Sequence, residues 1–537
     1  MEAKVAEETW VGRSLLRVED EALLRGEGRF IDDLDPVASA RHAAVLRSPL
    51  AHARITRVDA SRALDAPGVV GVLTGEDVVA MSRPFPAAID SPVPQYAAAH
   101  GVARYAGEPV AVVVARDRYL AEDALELIEV EYDALDPVLD PVSAVETEAC
   151  VSDRSFAYGD VESALATADL VVRERFRFPR WTCAPVECYG VVADWNHSEG
   201  SLTAWANFQG PFTLHSVAAA ALGLPGSKLR LITPPDSGGS FGIKSAVFAY
   251  VVLMGLASRK LGVPVRWIED RLEHLAASSS ATGRVTGVEA GFTSGGELVA
   301  LRYDAIEDVG AYVRAPEPAT LYRMHGSLSG AYRVRNVAAR NRIVLTNTCP
   351  SGLNRGFGGP QLYLALERTM TIAARRLELD PAELARRNLI REDELPYTTP
   401  SGAIYDSGDY EACLDDALEL ARYEERRAEA VAARAEGRLV GVGLACIVEP
   451  SISNMGYITL AEPAAERGLP KSGNAEGATI SISPLGGVTV RLSTTPQGQG
   501  HRTVAAQVVA DRLGIEPDTV EVLSELDTST SAWTVSS

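Results

Sequence analysis

Three glycine-rich turns, each directly before a predicted helix, are the features of this sequence best suited to chemistry. We call residues 237–242 turn one, residues 354–360 turn two and residues 497–501 turn three. Glycine lets backbone N–H groups approach a ligand closely, and the first turn of a helix adds free donors and partial positive charge. One such turn is often only a tight connection. Three of them, with an arginine and two glutamines, indicate a site for an extended cofactor that bears phosphate.

Turn one also fits two other motifs. Residues 238–242 match G-x-S-x-G, in which a hydrolase exposes its nucleophile on a strand-to-helix turn. Ser240 would then be the nucleophile, and the candidate bases are His274, His325 and His501. However, residues 234–236 separate the predicted strand from the serine, whereas the hydrolase turn follows its strand directly. The same turn approximates a P-loop, but Ile243 stands where that motif needs glycine.

The cysteines and histidines do not predict a metal held by side chains. Cys183 and Cys188 have a spacing found in some iron–sulfur proteins, but the third cysteine of that motif is missing. The eight histidines show no H-E-x-x-H or other paired spacing. We therefore expect the six cysteines to be buried thiols, and any metal to be held by something other than side chains.

The elements that must position the three turns divide the chain into three predicted domains, 1–140, 150–437 and 438–537. Asp-Pro pairs near residue 140 mark the first boundary, and a charge-rich helix ending near residue 437 marks the second. Hydrophobic periodicity and turn residues indicate helices and strands in all three domains. The predicted elements are a strand–helix–strand unit over 110–132, a strand at 229–232, a hairpin over 285–306, strands at 478–483, 487–493 and 519–523, and helices at 246–261, 361–377, 424–437 and 503–513, with a further helix starting at Asp380.

Composition narrows the class of protein. The chain has 537 residues, of which 46% are hydrophobic and 23% charged, as in globular proteins. Its 72 acidic residues outnumber its 51 basic residues and give a net charge of −21, which repels nucleic acids and anionic membranes. The longest apolar run, 246–257, is too short to span a bilayer, and the first residues do not form a secretory signal. We therefore expect a cytoplasmic protein that binds neither nucleic acid nor membrane.

Taken together, the turns resemble the cofactor loops of the molybdenum-cofactor-binding subunit of the xanthine dehydrogenase, aldehyde oxidase and aerobic carbon monoxide dehydrogenase family. Residues 238–244 are similar to its G-G-x-F-G-x-K loop, 355–361 to its R-G-F-G-G-P-Q loop and 498–501 to its G-Q-G-[HL] loop. Residues 47–55 and 107–112 resemble its N-terminal domain. The resemblance implies a mixed α/β (α+β) fold: a small N-terminal α/β hammerhead-like domain followed by two molybdopterin-binding α+β domains, the second incomplete in this chain.

The resemblance also implies roles for individual residues. Gln209 would contact an oxo ligand of the molybdenum, and the glycines of turn three would grip the pterin and its phosphates. Phe357 would stack on the substrate and Arg323 would polarise it, while the dithiolene of the cofactor, not a side chain, would hold the metal. The implied cofactor-binding residues are Gln209, Gly239, Phe241, Gly242, Arg355, Gly498, Gln499 and Gly500, and the implied substrate pocket comprises Ser245, Arg323, Asn354 and Phe357.

Three positions depart from the family pattern. Ser245 follows Lys244, where purine oxidisers carry a glutamate, which argues against xanthine as substrate. Gly356 follows Arg355, where carbon monoxide dehydrogenases carry a cysteine, which argues against carbon monoxide. Asn354 stands where relatives often have an aromatic residue and has no clear analogue among them.

The activity implied is oxidative hydroxylation of an aldehyde or aromatic N-heterocycle with oxygen from water. The implied cofactor is molybdenum–molybdopterin, which we expect in its cytosine dinucleotide form. The chain has neither a dinucleotide-binding G-x-G-x-x-G after a strand nor a [2Fe–2S] cysteine set, so we expect both FAD and [2Fe–2S] on partner subunits. Two alternatives remain open: a serine hydrolase using Ser240, and a non-catalytic cofactor-binding assembly subunit.

The resemblance places no catalytic residue in this chain. In the family, a catalytic glutamate follows a small-residue segment in the C-terminal portion, and this sequence ends within that segment, at residues 534–537. We therefore expect a companion molybdopterin-binding chain that completes the third domain and supplies the glutamate. Its interface with this chain would be large and apolar, like a domain core cut in half.

Overall fold

Apolar and β-branched runs form the strands, and most of the strands belong to two large sheets. The computed structural model describes residues 9–450, 455–462, 465–466, 477–495 and 497–531. The strands are β1 Arg41–Arg47, β2 Ala53–Asp59, β3 Val69–Thr74, β4 Val102–Ala103, β5 Pro109–Ala115, β6 Glu129–Ala134, β7 Cys150–Tyr158, β8 Leu170–Phe178, β9 Gly190–Asn196, β10 Ser201–Ala206, β11 Leu229–Ile232, β12 Val265–Ile268, β13 Gly283–Phe292, β14 Leu298–Asp308, β15 Asn336–Val344, β16 Tyr397–Thr398, β17 Ile404–Tyr405, β18 Ala478–Ile482, β19 Val488–Leu492 and β20 Val520–Leu523.

The helices cover these sheets and supply the N-termini at which the glycine-rich turns end. They are α1 Asp20–Leu24, α2 Ser61–Leu64, α3 Gly75–Met81, α4 Arg118–Leu125, α5 Pro141–Ala144, α6 Val161–Thr167, α7 His215–Leu222, α8 Phe248–Leu261, α9 Arg271–Glu273, α10 Ala319–Tyr322, α11 Gly359–Arg376, α12 Pro381–Asn388, α13 Tyr410–Leu420, α14 Tyr423–Ala435 and α15 His501–Leu513. Turn one leads first into a 3₁₀ turn, Ile243–Val247, and only then into α8. The long helices predicted after all three turns are present.

A seven-stranded sheet lies beneath turn one, in the order β11-β10-β9-β12-β1-β5-β3. Helix α8 is apolar on nearly every side and is buried against this sheet and α7. Strands β1, β3 and β5 lie within the first predicted domain, yet β1 pairs in parallel with β12 from the second. The predicted first domain and part of the second therefore share one sheet.

A five-stranded sheet lies beneath turn two, in the order β7-β15-β14-β13-β8. The predicted hairpin over 285–306 is confirmed as β13 and β14, which pair antiparallel. Helix α11 packs on β8 and β13 through a buried stripe that includes Leu362, Leu366 and Met370. The helix predicted from Asp380 is also confirmed, as α12. The Asp380 carboxylate caps its N-terminus by accepting a hydrogen bond of 2.7 Å from the Ala382 backbone N–H.

The strand–helix–strand unit predicted over 110–132 is present as β5, α4 and β6, but its two strands belong to different sheets. Strand β5 is buried on both faces and lies within the seven-stranded sheet. Strand β6 alternates charged with apolar residues and is half exposed, and it pairs with β2 in a small sheet with β4. A strand with one polar face cannot occupy a position covered on both sides.

The third predicted domain contains the sheet β18-β19-β20, with α15 packed on β20. Residues of β18 are exposed throughout. The chain near the N-terminus reaches this region, since the Asp511 carboxylate accepts hydrogen bonds from the backbone of Trp10 and Val11. Residues 534–537, on which the expectation of a companion chain rests, lie outside the described residues, and that expectation stays a prediction. Within the described ranges, no helix is both long and apolar enough to cross a membrane.

Candidate functional site

Turn one is organised around the side chain of Gln209, which follows strand β10. Its Oε1 atom accepts short hydrogen bonds from the Ser240 hydroxyl and from the Gly242 backbone N–H. Ser240 is completely buried and its oxygen also accepts from the Lys244 backbone N–H at 3.3 Å. The predicted cofactor-binding residue Gln209 is therefore bonded to turn one, the turn that contains Gly239, Phe241 and Gly242.

Glu187 anchors the same turn, and the sequence offered no signal for it. One carboxylate oxygen accepts from the Gly238 backbone N–H at 2.9 Å and lies 2.5 Å from the Lys244 ammonium. The Lys244 side chain is fully buried, and this burial lowers its pKa despite the pairing with Glu187. The other oxygen accepts from Ile31 N–H at 3.2 Å. Glu187 comes directly before Cys188, and no motif includes it.

Turn two lies directly against turn one. The Arg355 backbone N–H donates to the Phe241 carbonyl at 2.6 Å, and the Arg355 guanidinium carbon lies 5.2 Å from the centre of the Phe241 ring. Gly242 has a φ of 101°, and a Cβ atom there would lie 2.7 Å from the Leu353 carbonyl oxygen. Only glycine allows this approach without displacing the backbone. The Arg355 side chain is exposed beside the two turns.

Turn three reaches this centre through the helix that follows it. The Arg502 guanidinium lies 3.1 Å from the Asp236 carboxylate, one residue before turn one, and donates to the Pro235 carbonyl at 2.9 Å. Gly498 and Gln499 are exposed, whereas Gly500 is buried. The structure therefore brings the three turns to one region, although they lie far apart in sequence.

A small cavity of about 10 Å³, with room for about one water molecule, lies beside turn two. Both amide atoms of Asn354 are buried without a hydrogen-bond partner, and so are the Gln361 Oε1 and Ser245 Oγ atoms. Buried polar atoms rarely remain unsatisfied in a native protein, so these donors and acceptors are suited to a polar ligand. The lining residues are Trp181, Ala281, Thr320, Gly352, Asn354, Arg355, Phe357, Pro360 and Gln361. Trp181, Thr320 and Gln361 were not predicted as site residues.

Arg323 packs on the ring of Phe357, which lines this cavity. The Arg323 guanidinium carbon lies 4.7 Å from the centre of the Phe357 ring, and Nη1 donates to the Phe357 carbonyl at 3.1 Å. Nη2 lies 2.8 Å from the Glu449 carboxylate. The predicted pocket residues Arg323, Asn354 and Phe357 are therefore neighbours around turn two, while Ser245 lies in the 3₁₀ turn after turn one.

The same geometry does not support a serine hydrolase. A nucleophilic serine must be exposed to its substrate and bonded to a base. Ser240 is fully buried and its hydroxyl donates to Gln209. His274, one of the candidate bases, is bonded through Nδ1 to Glu269 at 2.7 Å.

The cysteines differ from the expectation of buried thiols. All six are free thiols, but Cys413 is exposed on α13 and the others are only partly buried. The reason for Cys413 is that α13 covers the core through Leu414, the one buried residue of the helix, and its neighbours face outward. Cys183 lies under turn one with its Sγ atom 3.6 Å from the Ser240 carbonyl, and burial raises its pKa to about 11.

One group of potential metal ligands occurs in the part of the chain that the structure describes: Cys188, Glu269 and His274 place ligand atoms within 4.8 Å of one another. The Glu269 oxygens already accept hydrogen bonds from Ser278, from the Tyr189 backbone and from His274. These bonds join the turn after β12 to the start of β9. We interpret the group as a hydrogen-bonded cluster that supports turn one from below.

Comparison with known proteins assigns the family. Two models described as "Molybdopterin cofactor-binding domain" match residues 144–389 and 416–537. A model described as "Aldehyde oxidase and xanthine dehydrogenase, a/b hammerhead domain" matches residues 25–136. The chain belongs to the family of molybdenum-cofactor-binding large subunits that includes xanthine dehydrogenases and carbon monoxide dehydrogenases, which confirms the resemblance and the predicted fold class.

Individual relatives are similar to this protein over nearly the whole length of the chain. It is 34% identical to the nicotine 6-hydroxylase large subunit of Paenarthrobacter nicotinovorans, over 95% of this chain and 63% of the relative. It is 32% identical to the carbon monoxide dehydrogenase large chain of Hydrogenophaga pseudoflava, over 96% of this chain and 66% of the relative. The crystal structure of quinoline 2-oxidoreductase from Pseudomonas putida 86 superposes with a TM-score of 0.90 at 32% identity, covering 99% of this chain and 68% of that one. The chain thus spans slightly less than two thirds of the curated relatives' length.

Proposed function

We propose that this chain is the cofactor-binding part of a molybdenum hydroxylase that oxidises an aldehyde or an aromatic N-heterocycle. The observation that carries the proposal is the set of buried, unpartnered polar atoms on Asn354 and Gln361, which line the cavity beside turn two, and on Ser245, in the 3₁₀ turn after turn one. When bound, the cofactor supplies two-electron oxidation of a substrate carbon, with oxygen from water. Gln209 and the backbone of turn one would face its metal end.

In this proposal, the residues of this chain bind the cofactor and orient the substrate. Turn three offers the N-terminus of α15 to the phosphates of the cofactor, for which we propose the cytosine dinucleotide form. Trp181 and Phe357 line the cavity beside turn two, and their rings would stack on a planar substrate ring that binds against this turn. Gly356 after the loop arginine argues against carbon monoxide, and Ser245 argues against xanthine, so the nicotine and quinoline oxidoreductases are the better guide to substrate class.

The electrons must leave the cofactor, and we propose that [2Fe–2S] and FAD subunits receive them in a cytoplasmic complex. The carbon monoxide dehydrogenase and nicotine 6-hydroxylase relatives are named as a large chain and a large subunit, which supports a complex of several chains. Co-purification of this chain from its native cells, followed by peptide mapping and iron and flavin analysis, tests the composition.

Elemental analysis of the purified intact complex tests the function directly. We expect close to one molybdenum per chain, CMP released on acid hydrolysis of the cofactor, and reduction of the metal by aldehydes or N-heterocycles under anaerobic conditions. Absence of molybdenum from the intact complex would overturn the proposal. Labelling of Ser240 by an active-site serine probe, lost in Ser240→Ala, would favour the hydrolase. Bound cofactor that no substrate reduces would favour the non-catalytic assembly subunit.

A further inference from the structure

One ion pair joins the residue before turn one to the helix that follows turn three. Asp236 directly precedes turn one, and Arg502 is the second residue of α15. The Arg502 Nη2 atom lies 3.1 Å from the Asp236 carboxylate, and the two side chains are only 22% and 15% exposed. The pair therefore connects the two turns that the proposed function assigns to opposite ends of the cofactor.

The guanidinium of Arg502 makes further bonds at the same place. Its Nη2 atom also donates to the Pro235 carbonyl at 2.9 Å, and its Nε atom donates to the Ser524 hydroxyl at 3.1 Å. The Ser524 hydroxyl in turn donates to the same Pro235 carbonyl at 3.2 Å. Ser524 is buried and directly follows β20. Arg502 therefore attaches both α15 and the end of β20 to the two residues that precede turn one.

Asp236 is also bonded to the N-terminal part of the chain. Its second carboxylate oxygen accepts a hydrogen bond of 2.8 Å from the Arg29 backbone N–H. The backbone N–H of Asp236 donates to the Arg29 carbonyl at 3.2 Å. Arg29, Asp236 and Arg502 belong to the first, second and third predicted domains, so all three predicted domains meet at this one carboxylate.

The two charges of the pair need each other. The Asp236 carboxylate lies beside turn one, where an unpaired negative charge would repel an anionic cofactor. Arg502 lies in the first turn of α15, where an unpaired positive charge is unfavourable because the helix dipole is positive there. Pairing removes both penalties. Because its Nε and Nη2 atoms are bonded to protein groups, Arg502 is suited to hold turn three in position rather than to bind the phosphates itself.

We propose that Asp236 and Arg502 are positioning residues, which set the distance between turn one and turn three and so determine how firmly the cofactor is retained. The proposal rests on the proposed function, in which the cofactor extends from one turn to the other. A ligand that spans two turns binds tightly only when their separation matches its length, and small displacements of the supporting groups weaken such a site. Without the pair, turn one keeps its bonds to Gln209 and Glu187, but its separation from turn three is no longer fixed by this contact.

The test measures molybdenum and pterin in the intact, cofactor-loaded complex during incubation at a temperature below its unfolding transition. In Arg502→Gln and in Asp236→Asn we expect both to be released at least about tenfold faster than in the unchanged protein, because each variant leaves a mostly buried charge unpaired between the turns. Arg502→Lys keeps a positive charge next to Asp236, and we expect it to restore most of the retention. Release from Arg502→Lys as fast as from Arg502→Gln would contradict the proposal.

The matched control is Arg230→Gln, which removes another ion pair between the same two predicted domains. Arg230 lies on β11 and its Nε atom is 3.1 Å from the Asp527 carboxylate, so this pair does not connect the turns. We expect the variant to release molybdenum and pterin less than about threefold faster than the unchanged protein, because an ion pair with an exposed arginine contributes little. Release as fast as from Arg502→Gln would mean that any weakening between these domains is enough, and would overturn the proposal.

The double variant Asp236→Asn/Arg502→Gln shows whether the two residues act through each other. We expect it to release molybdenum and pterin no faster than the faster of the two single variants, because both changes break the same contact. Release rates that multiply would show independent effects and would count against the proposal. The predicted domains stay attached in all these variants, since the Thr233 backbone N–H also donates to the Leu526 carbonyl at 2.9 Å.

Molybdenum content distinguishes failure of the positioning role from failure of the proposed function. If the unchanged complex contains no molybdenum, the proposed function fails. If the unchanged complex holds molybdenum and the Asp236 and Arg502 variants retain it equally well, the proposed function stands and the positioning role is wrong.

Discussion

The sequence predicted some residues of the site and gave no indication of others. Arg355 and Phe241 were predicted from their loops, and the structure adds that the guanidinium lies over the ring and remains exposed. Glu187 and Glu449 had no such signal, because an isolated glutamate is an ordinary surface residue in any sequence. Their importance comes from partners distant in the chain, the buried Lys244 and Arg323.

At this scale we predict that Arg355→Ala reduces molybdenum content or turnover by at least about tenfold, because it removes a charge-assisted donor from the junction of turns one and two. The fold should be little affected, since an exposed cation–π contact contributes only about 0.5–1 kcal/mol. Arg259→Ala is the control, because Arg259 lies 4.8 Å over the Trp195 ring in a similar contact. Equal molybdenum content and turnover in both variants would contradict the role of Arg355.

Among the elements, the turns and their helices were predictable because glycine, caps and apolar stripes act locally. Helix α11 and hairpin β13–β14 follow directly from such patterns. The pairing of strands was harder to foresee. Strands β5 and β6 lie close in sequence, but they belong to different sheets because their burial differs.

The contact between turns one and two gives a prediction at the same scale. Gly242→Ala should lower the free energy of unfolding by about 2 kcal/mol or more, because a Cβ atom would meet the Leu353 carbonyl and φ is positive. Gly262→Ala is the matched control: Gly262 also has positive φ, but no atom lies within 4 Å of the added Cβ. Urea unfolding of the two variants measures the difference. Equal losses would show that the contact between the turns is not tight.

In the whole molecule, buried carboxylates connect segments that are far apart in sequence. Glu108, from the first predicted domain, accepts from the Tyr312 hydroxyl and the Arg104 backbone N–H, both at 2.6 Å. Burial raises the pKa of Glu108 to about 7 from the usual 4.5, although both hydrogen bonds oppose the shift. Between pH 4.5 and about pH 7, the Glu108 carboxyl is therefore protonated in the folded state and ionised in the unfolded state. The bond between Glu108 and Tyr312 crosses the first predicted boundary, and the domain boundaries at 140–150 and 437–438 stay predictions.

The sign of the resulting pH dependence follows from linkage. Because Glu108 has the higher pKa when folded, the free energy of unfolding should fall as pH rises from about 4.5 to about 7 and then level off, by at most about 3 kcal/mol. Glu108→Gln should remove this part of the fall, because a glutamine side chain does not titrate. Its amide can still accept a hydrogen bond from the Arg104 backbone N–H and donate one to the Tyr312 hydroxyl. Unfolding is measured at several pH values for both proteins. Parallel curves would contradict the prediction.

The sequence by itself determined the local features: three glycine-rich turns, the helices they open, and their resemblance to one family. These depend on neighbours along the chain, where glycine conformations and helix starts are encoded by a few residues. Only the tertiary structure decided that β1 pairs with β12, that Glu187 supports turn one, and that Glu449 forms an ion pair with Arg323. Each of these contacts joins residues that are distant in sequence, so its partner depends on the path of the whole chain and not on any local pattern.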